Sequence, residues 1–249
     1  MPITNANSAS SSPTLAARRV LLIGASRGLG LALADEWVRR GWQVVATVRG
    51  TDRTPLHDLA DARLADASTG QIEIETVDVT ESDQIRALRD RLTGRMFDVL
   101  FVNAGVTNQP EGTVAQTPTD DFIPVMVTNA LSPLRVIEAL HDLVEPVGTI
   151  AVMSSGQGSV ANNERGGHEV YRGSKAALNT FMRSYAARHS GERRSLVLMA
   201  PGWVSTGLGG PGARLRIEQS IPNVVKTLDA LAGTPGLHYV DYLGRTVPW

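Results

Sequence analysis

LLIGASRGLG (residues 21–30) runs from an apolar, strand-like segment into a cluster of glycines and then into a helical pattern. Gly24, Gly28 and Gly30 let the backbone turn tightly and approach a ligand, and the helix that follows offers free N–H groups to a pyrophosphate. The spacing is GxxxGxG rather than GxGxxG, so it meets the general dinucleotide fingerprint only loosely. Downstream, LGLALADEWVRRG places Leu29, Leu33 and Trp37 every four residues and closes on Gly41, which is the stripe of an amphipathic helix with a glycine stop.

The same alternation continues outward. VLLI (20–23), QVVATV (43–48), IEIETV (72–77), DVLFV (98–102), TIAVM (149–153) and LVLM (196–199) are short β-rich runs. All but IEIETV are nearly continuous in apolar residues, as strands buried on both faces should be. Between them lie helical patterns such as SDQIRALRDRL, with Ile85, Leu88 and Leu92 on one stripe, and the long stretch from Asp120 to Val144. The expectation is a single-domain α/β fold, a doubly wound parallel sheet of Rossmann type with helices on both faces. It spans residues 18–249, behind a disordered tail at 1–17 that is rich in Ser, Ala and Asn.

Composition bounds the function. The chain has 249 residues, 42% hydrophobic and 20% charged, with a formal net charge of −1. That balance gives no support to nucleic-acid or membrane-surface binding. With no cysteine, disulfides, thiolate metal sites and a cysteine nucleophile are excluded. His57, His141, His168, His189 and His238 never fall at HxxxH or HExxH spacing, which speaks against a metal. No secretory signal is read at the start, and no uninterrupted apolar run approaches the ~18 residues of a membrane span. The expected location is the cytoplasm, and a homo-oligomer is left open.

Several short motifs fall at expected strand ends. VRG (48–50) puts Arg49 where a fold selecting NAD carries an acidic residue for the ribose 2′-OH. With Arg27 in the glycine loop, two guanidiniums suit a 2′-phosphate, so NADP(H) is favoured. Asp52 lies near enough to leave NAD(H) open. NAG (103–105) offers small residues against which a flat ring can lie, and an asparagine able to lock the loop. Asn129 is a poor helix former inside a helical stretch. Ser154 and Ser155 end the fifth strand, and PGWVST (201–206) the sixth, followed by glycines to Gly212. Four glycines and a proline between Ser205 and Gly212 are too flexible to hold one shape unaided, which predicts a lid that orders on binding. In YRGSKAAL (171–178), Tyr171 and Lys175 are neighbours one helical turn apart. A cation there would lower a phenol pKa from about 10 toward neutrality.

GASRG also satisfies the G-x-S-x-G nucleophile elbow of hydrolases, with Ser26 as nucleophile. The oxyanion strand and loop of a hydrolase precede the elbow, and here only a polar tail and one strand do.

The order GASRGLG, NAG, Asn129, SS, YRGSK and PGWVST resembles the short-chain dehydrogenase/reductase family over nearly the whole chain from Arg18. MSSGQGSV, YRGSKAALN and HYVDYLGRTVPW are similar to its C-factor and sniffer-like carbonyl-reductase branch. The resemblance implies hydride transfer between NADP(H) and a small carbonyl or alcohol substrate. Tyr171 would be the general acid/base, Lys175 would lower its pKa and hold the nicotinamide ribose, Ser155 would bond the substrate oxygen, and Asn129 would support a water relay to Lys175. The implied cofactor contacts are Gly24, Ser26, Arg27, Gly28, Leu29, Gly30, Arg49, Asp78, Val79, Asn103, Ala104, Gly105, Tyr171, Lys175, Pro201, Gly202, Val204 and Thr206. Among these, Asp78 would meet the adenine amino group, Asn103 and Gly105 would line the adenosine side, and Thr206 would touch the nicotinamide carboxamide. Two departures stand out. Ile23 occupies a position where many members carry Thr, and the Ser155–Tyr171 interval is long, with an NNERGG insertion. A catalytically silent, cofactor-bound signalling or scaffold module is the alternative. The complete set of Asn129, Ser155, Tyr171 and Lys175 argues against it.

Overall fold

A computed structural model describes residues 17–64, 70–107 and 112–249. The tail expected at 1–17 therefore lies almost wholly outside the described residues. Seven parallel strands form one sheet: β1 (Arg19–Ile23), β2 (Gln43–Val48), β3 (Ile72–Thr76), β4 (Phe97–Val102), β5 (Val144–Met153), β6 (Ser195–Ala200) and β7 (Gly236–Asp241), in the order β3-β2-β1-β4-β5-β6-β7. The chain moves outward from β1 in one direction, then returns to β4 on its other side. The crevice between β1 and β4 is thus the switch point where such sheets bind ligands.

Alternate side chains of each strand feed two cores. Leu21 and Ile23 point to one, packed with Ile85 and Leu88 of α3 (Ser82–Arg91), Val136 and Ile137 of α5 (Ser132–Leu140), and Leu178 and Met182 of α6 (Glu169–Arg188). Val20 and Leu22 point to the other, packed with Leu33 and Trp37 of α1 (Gly28–Arg39), Leu56 of α2 (Pro55–Leu64), and Val224 and Leu228 of α7 (Ile217–Leu231). Trp37 anchors that side, edge-on to Phe101 at 5.8 Å and tilted to Trp42 at 6.2 Å. Each fully buried Leu or Val contributes about 1.5–3 kcal/mol to this arrangement.

IEIETV alternates because β3 is an edge strand. Ile72 and Ile74 pack inward, while Glu73 and Glu75 face outward to ion-pair with Arg95 and Arg91. Beyond the sequence reading, β5 begins at Val144 rather than Thr149, with a register shift opposite Phe97/Val99. β7 was not expected at all. Its mixed composition, GLHYVD, hides a strand that nevertheless pairs with β6 over six residues. The stretch 119–143 has the length and mean hydropathy of a membrane span. Val125, Ala130, Val136, Ile137 and Leu140 within it are buried in the protein core, which accounts for that hydropathy.

Candidate active site

The glycine loop is built by contact as much as by conformational freedom. Gly24 has φ 88°, and a Cβ there would stand 2.9 Å from the Ala104 backbone. A Cβ on Gly30 would stand 2.1 Å from the Gly24 carbonyl oxygen. Gly28, at φ 60°, has nothing within 4 Å of its Cβ position, so it faces open space at the N-terminus of α1. The Asn103 Nδ2 group donates to the Gly24 carbonyl at 2.7 Å, and the Gly24 N–H donates to Thr47 Oγ1 at 2.9 Å. The expected locking role of Asn103 is thereby visible. Thr47, on the second strand, was not singled out from the sequence. Ile23, at the departure from the family pattern, is fully buried.

Around this loop stand the other expected adenosine-side groups. One Asp78 oxygen accepts from the Thr80 N–H and hydroxyl, at 2.9 and 2.7 Å, and among the described residues its second oxygen has no hydrogen-bond donor. Arg27 and Arg49 are exposed, and among the described residues neither makes an ion pair or side-chain hydrogen bond. Asp52 is also exposed, and among the described residues it makes no ion pair. Ser26 is half-buried, and its hydroxyl pairs with neither a histidine nor a carboxylate among the described residues, so no nucleophile relay forms there. Leu29 and Val79 pack in the cores, and buried Val204 forms a β-bridge with Leu215. An open glycine cradle, a free carboxylate oxygen and two uncompensated guanidiniums fit a dinucleotide carrying a 2′-phosphate.

Asn129, Ser155, Tyr171 and Lys175 converge beyond the carboxyl ends of β4 and β5. Asn129 lies in a π-helical turn, Val127–Leu131, between α4 (Thr119–Met126) and α5. Its wider winding is where a poor helix former is accommodated. The Asn129 Oδ1 accepts the Val106 N–H at 2.8 Å, while Nδ2 donates to the Val106 carbonyl at 2.8 Å and to Ser174 Oγ at 3.0 Å. A Cβ on Gly105 would lie 3.3 Å from Asn129 Oδ1 and 3.6 Å from Lys175 Nζ. The missing side chain leaves room between them.

Tyr171 and Lys175 share one face of α6, as the i,i+4 spacing required, with Nζ 5.9 Å from the phenol ring centroid. Lys175 is buried and donates to the Met153 carbonyl at 2.9 Å. Burial pushes its ammonium down from 10.5 to about 8. The expected downward shift of Tyr171 is not what the surroundings produce. Burial, the largest influence, raises its phenol above 10, the Ser155 side chain draws it down by hydrogen bonding, and nearby Tyr239 adds a smaller upward push. At this separation, and with its own charge disfavoured by desolvation, Lys175 does not outweigh the burial of the ring.

PGWVST opens a loop that is less shapeless than its glycines suggested. The Ser205 N–H donates to the Leu215 carbonyl at 2.8 Å, Leu215 N–H to Trp203 at 3.0 Å, and Gly210 N–H to Thr206 at 2.9 Å. The Trp203 indole N–H donates to the Gly209 carbonyl at 2.8 Å, and Gly209 N–H to Thr206 Oγ1 at 3.1 Å. Pro201 is buried, and its carbonyl accepts from Ser220 Oγ at 2.7 Å. Gly202, at φ 83°, leaves no space for a Cβ against Leu215. Trp203 and Leu208 remain about half exposed at the rim.

The family model for short chain dehydrogenase matches residues 18–213. Among solved structures, a protein assigned to the short-chain dehydrogenases/reductases from Burkholderia multivorans, with bound NADP, is 58% identical, with a TM-score of 0.90 over 94% of this chain and all of that one. A carbonyl reductase from Pseudomonas aeruginosa PAO1 in complex with NADP is 35% identical, with a TM-score of 0.84 over 94% of this chain and all of that one. The C-signal protein of Myxococcus xanthus is 35% identical over 167 residues, which are 66% of this chain and all of that protein.

Proposed function

The chain belongs to the short chain dehydrogenase family, and on that premise we propose that it is an NADP(H)-dependent oxidoreductase acting between a small carbonyl compound and the corresponding alcohol. When bound, the nicotinamide supplies the hydride for the carbonyl carbon, or receives it from the alcohol carbon. The protein handles the proton and the substrate oxygen.

Tyr171 is the acid and base. Its phenol remains protonated at neutral pH because burial holds it above the ordinary range, so it is ready to protonate a carbonyl oxygen gaining charge. The Ser155 side chain, which already interacts with that phenol, is placed to hold the same oxygen. Lys175 sits behind the ring with its ammonium on the Met153 carbonyl, available to ribose hydroxyls and to stabilise the phenolate that remains after transfer. Asn129 keeps the strand-end loop at Val106 in place and borders the space that leads to Lys175.

The observation that carries this reading is the convergence of Ser155, Tyr171 and buried Lys175 at one strand end beside an open glycine cradle. NADP in the solved relatives from Burkholderia and Pseudomonas supports the choice of cofactor. The test is NADPH oxidation against a panel of aldehydes, ketones and quinones, for the native protein and Tyr171→Phe. Native turnover on at least one carbonyl is expected, with kcat lower by about two orders of magnitude or more in the variant and nucleotide binding retained. Equal kcat for the two proteins removes Tyr171 from the chemistry. No turnover on any carbonyl leaves a cofactor-bound module in place of an enzyme.

A further inference from the structure

We propose that Tyr239 is a positioning residue for this reaction, its hydroxyl holding the Ser155 main chain so that the serine stays aimed at the Tyr171 phenol. The inference rests on the oxidoreductase reading above. Tyr239 lies on β7, outside the glycine loop, NAG and YRGSK. It is buried, and its hydroxyl donates to the Ser155 carbonyl at 2.5 Å.

The sheet explains how an edge strand reaches the site. Tyr239 is in register with Leu198, which is in register with Val152, and all three side chains lie in the core that α6 covers. The phenol therefore runs between sheet and helix toward the end of β5. Ser155 is extended there, with φ −160° and ψ 149°, and its Oγ accepts the Gln157 N–H at 3.1 Å. That bond occupies a lone pair and leaves the hydroxyl proton to be donated. With the carbonyl tied to Tyr239 and Oγ tied to Gln157, both the peptide plane and the side-chain rotamer of Ser155 are fixed. The neighbouring residues are held by Ser154 Oγ donating to Asn179 Oδ1 at 2.7 Å and Asn179 Nδ2 donating to the Gly158 carbonyl at 3.2 Å, and both side chains also bear on the Tyr239 hydroxyl.

Tyr185 provides the contrast. It is equally buried, stacks on His189 at 4.2 Å and among the described residues has no hydrogen-bond partner for its hydroxyl, as a tyrosine used for packing alone can. Tyr239 has packing of its own, with the Trp249 ring 5.3 Å away. Its hydroxyl, however, is spent on a residue that meets substrate. The groups that act on Tyr171 are Ser155 at the end of β5, Tyr239 from β7 and Lys175 on its own helix. At neutral pH Tyr239 is uncharged, because burial raises its own phenol. Deleting the Tyr239 hydroxyl then frees the Ser155 carbonyl and removes its contacts with the Ser154 and Asn179 side chains, all at the same strand end.

The experiment compares Tyr239→Phe with the native protein, using Tyr171→Phe and Trp249→Leu alongside. Tyr239→Phe should lower kcat roughly five- to thirtyfold with the NADPH Kd unchanged. It should also displace upward the alkaline limb that the Tyr171 phenol sets in kcat/KM for carbonyl reduction, above the one Lys175 sets near 8, because losing the draw of Ser155 outweighs losing the smaller push of Tyr239. Trp249→Leu loosens the packing and keeps the hydroxyl, so it should lower the thermal midpoint and leave the limb in place. A native rate and profile in Tyr239→Phe overturns the proposal, as does a rate loss without movement of the limb. If Tyr171→Phe keeps native turnover, the oxidoreductase reading falls and this inference falls with it. If Tyr171→Phe is inactive and Tyr239→Phe is native, only this inference falls.

Discussion

Lys175 shows how a residue proposed for the site can be costly to the fold. Its ammonium sits in the interior at about 8, below the usual 10.5. Below pH ~8 the folded protein carries a buried charge that the unfolded chain would hydrate freely. Between 8 and 10.5 the unfolded chain binds more protons than the folded one, so stability rises with pH across that window. A shift of this size corresponds to about 3 kcal/mol at pH 7 and less than about half of that by pH 9.5. Lys175→Met removes the charge but orphans the Met153 carbonyl, which takes back about 1 kcal/mol. Urea unfolding should find the variant more stable than the native protein by about 2 kcal/mol at pH 7, with the gain lost by pH 9.5, and turnover should fall by about two orders of magnitude. A variant less stable at pH 7 would mean that the ammonium is better solvated than its burial implies. At this scale the pairing of Tyr171 and Lys175 was legible, because they need only helical spacing to meet. The direction of the phenol shift was not, since it depends on burial by strands that a linear pattern does not place.

Among elements, the helices and inner strands announced themselves by period, and the misses have physical causes. β7 alternates too imperfectly to be read, because Tyr239 faces the core under α6 while Gly236 stays exposed at the sheet edge. The stretch from Ser205 to Gly212 was read from its glycines as too flexible to hold one shape unaided, but the side-chain and cross-loop hydrogen bonds between Trp203 and Leu215 come from residues that composition alone does not pair. Those bonds give hydrogen exchange a resolved pattern. The amides of Ser205 and Leu215, bonded across the base, should be protected with or without NADPH. Those of Thr206, Gly207 and Leu208 at the tip should slow markedly only when nucleotide is present, as a lid closing over the site requires. Equal exchange of the tip amides in both states would show a fixed rim rather than a lid.

For the molecule as a whole, strand–helix alternation pointed to a parallel sheet wound on both faces, whereas the strand order and the switch point between β1 and β4 are read from the structure. Cofactor choice tests that placement through stability. A ligand at a hundred times its Kd stabilises the native state by about 2.7 kcal/mol, which in a protein of this size raises Tm by roughly 5–11 °C. Arg27 and Arg49 stand uncompensated near the expected 2′-phosphate position, and each charge-assisted contact there is worth about 1.5–3 kcal/mol. At equal concentration NADP should therefore raise Tm more than NAD. Arg49→Asp should narrow or reverse that difference without changing the Tm of the free protein appreciably. Equal shifts by both nucleotides in the native protein would make Arg49 a surface arginine and nothing more.

The π-helical turn at Val127–Leu131 gives the long helix one residue more than a regular winding would hold. Such an addition works like a spacer. It turns Asn129 by about a quarter of a revolution relative to the residues of α4, and every position from Ser132 onward inherits the offset. A shortened chain that restored unbroken α-helix would keep Val136, Ile137 and Leu140 in their core only by swinging Asn129 away from Val106 and Gly105. The helix is therefore held to its length at two points at once, by the oily seam behind it and by one amide in front. Deletions in this stretch have no neutral position available to them.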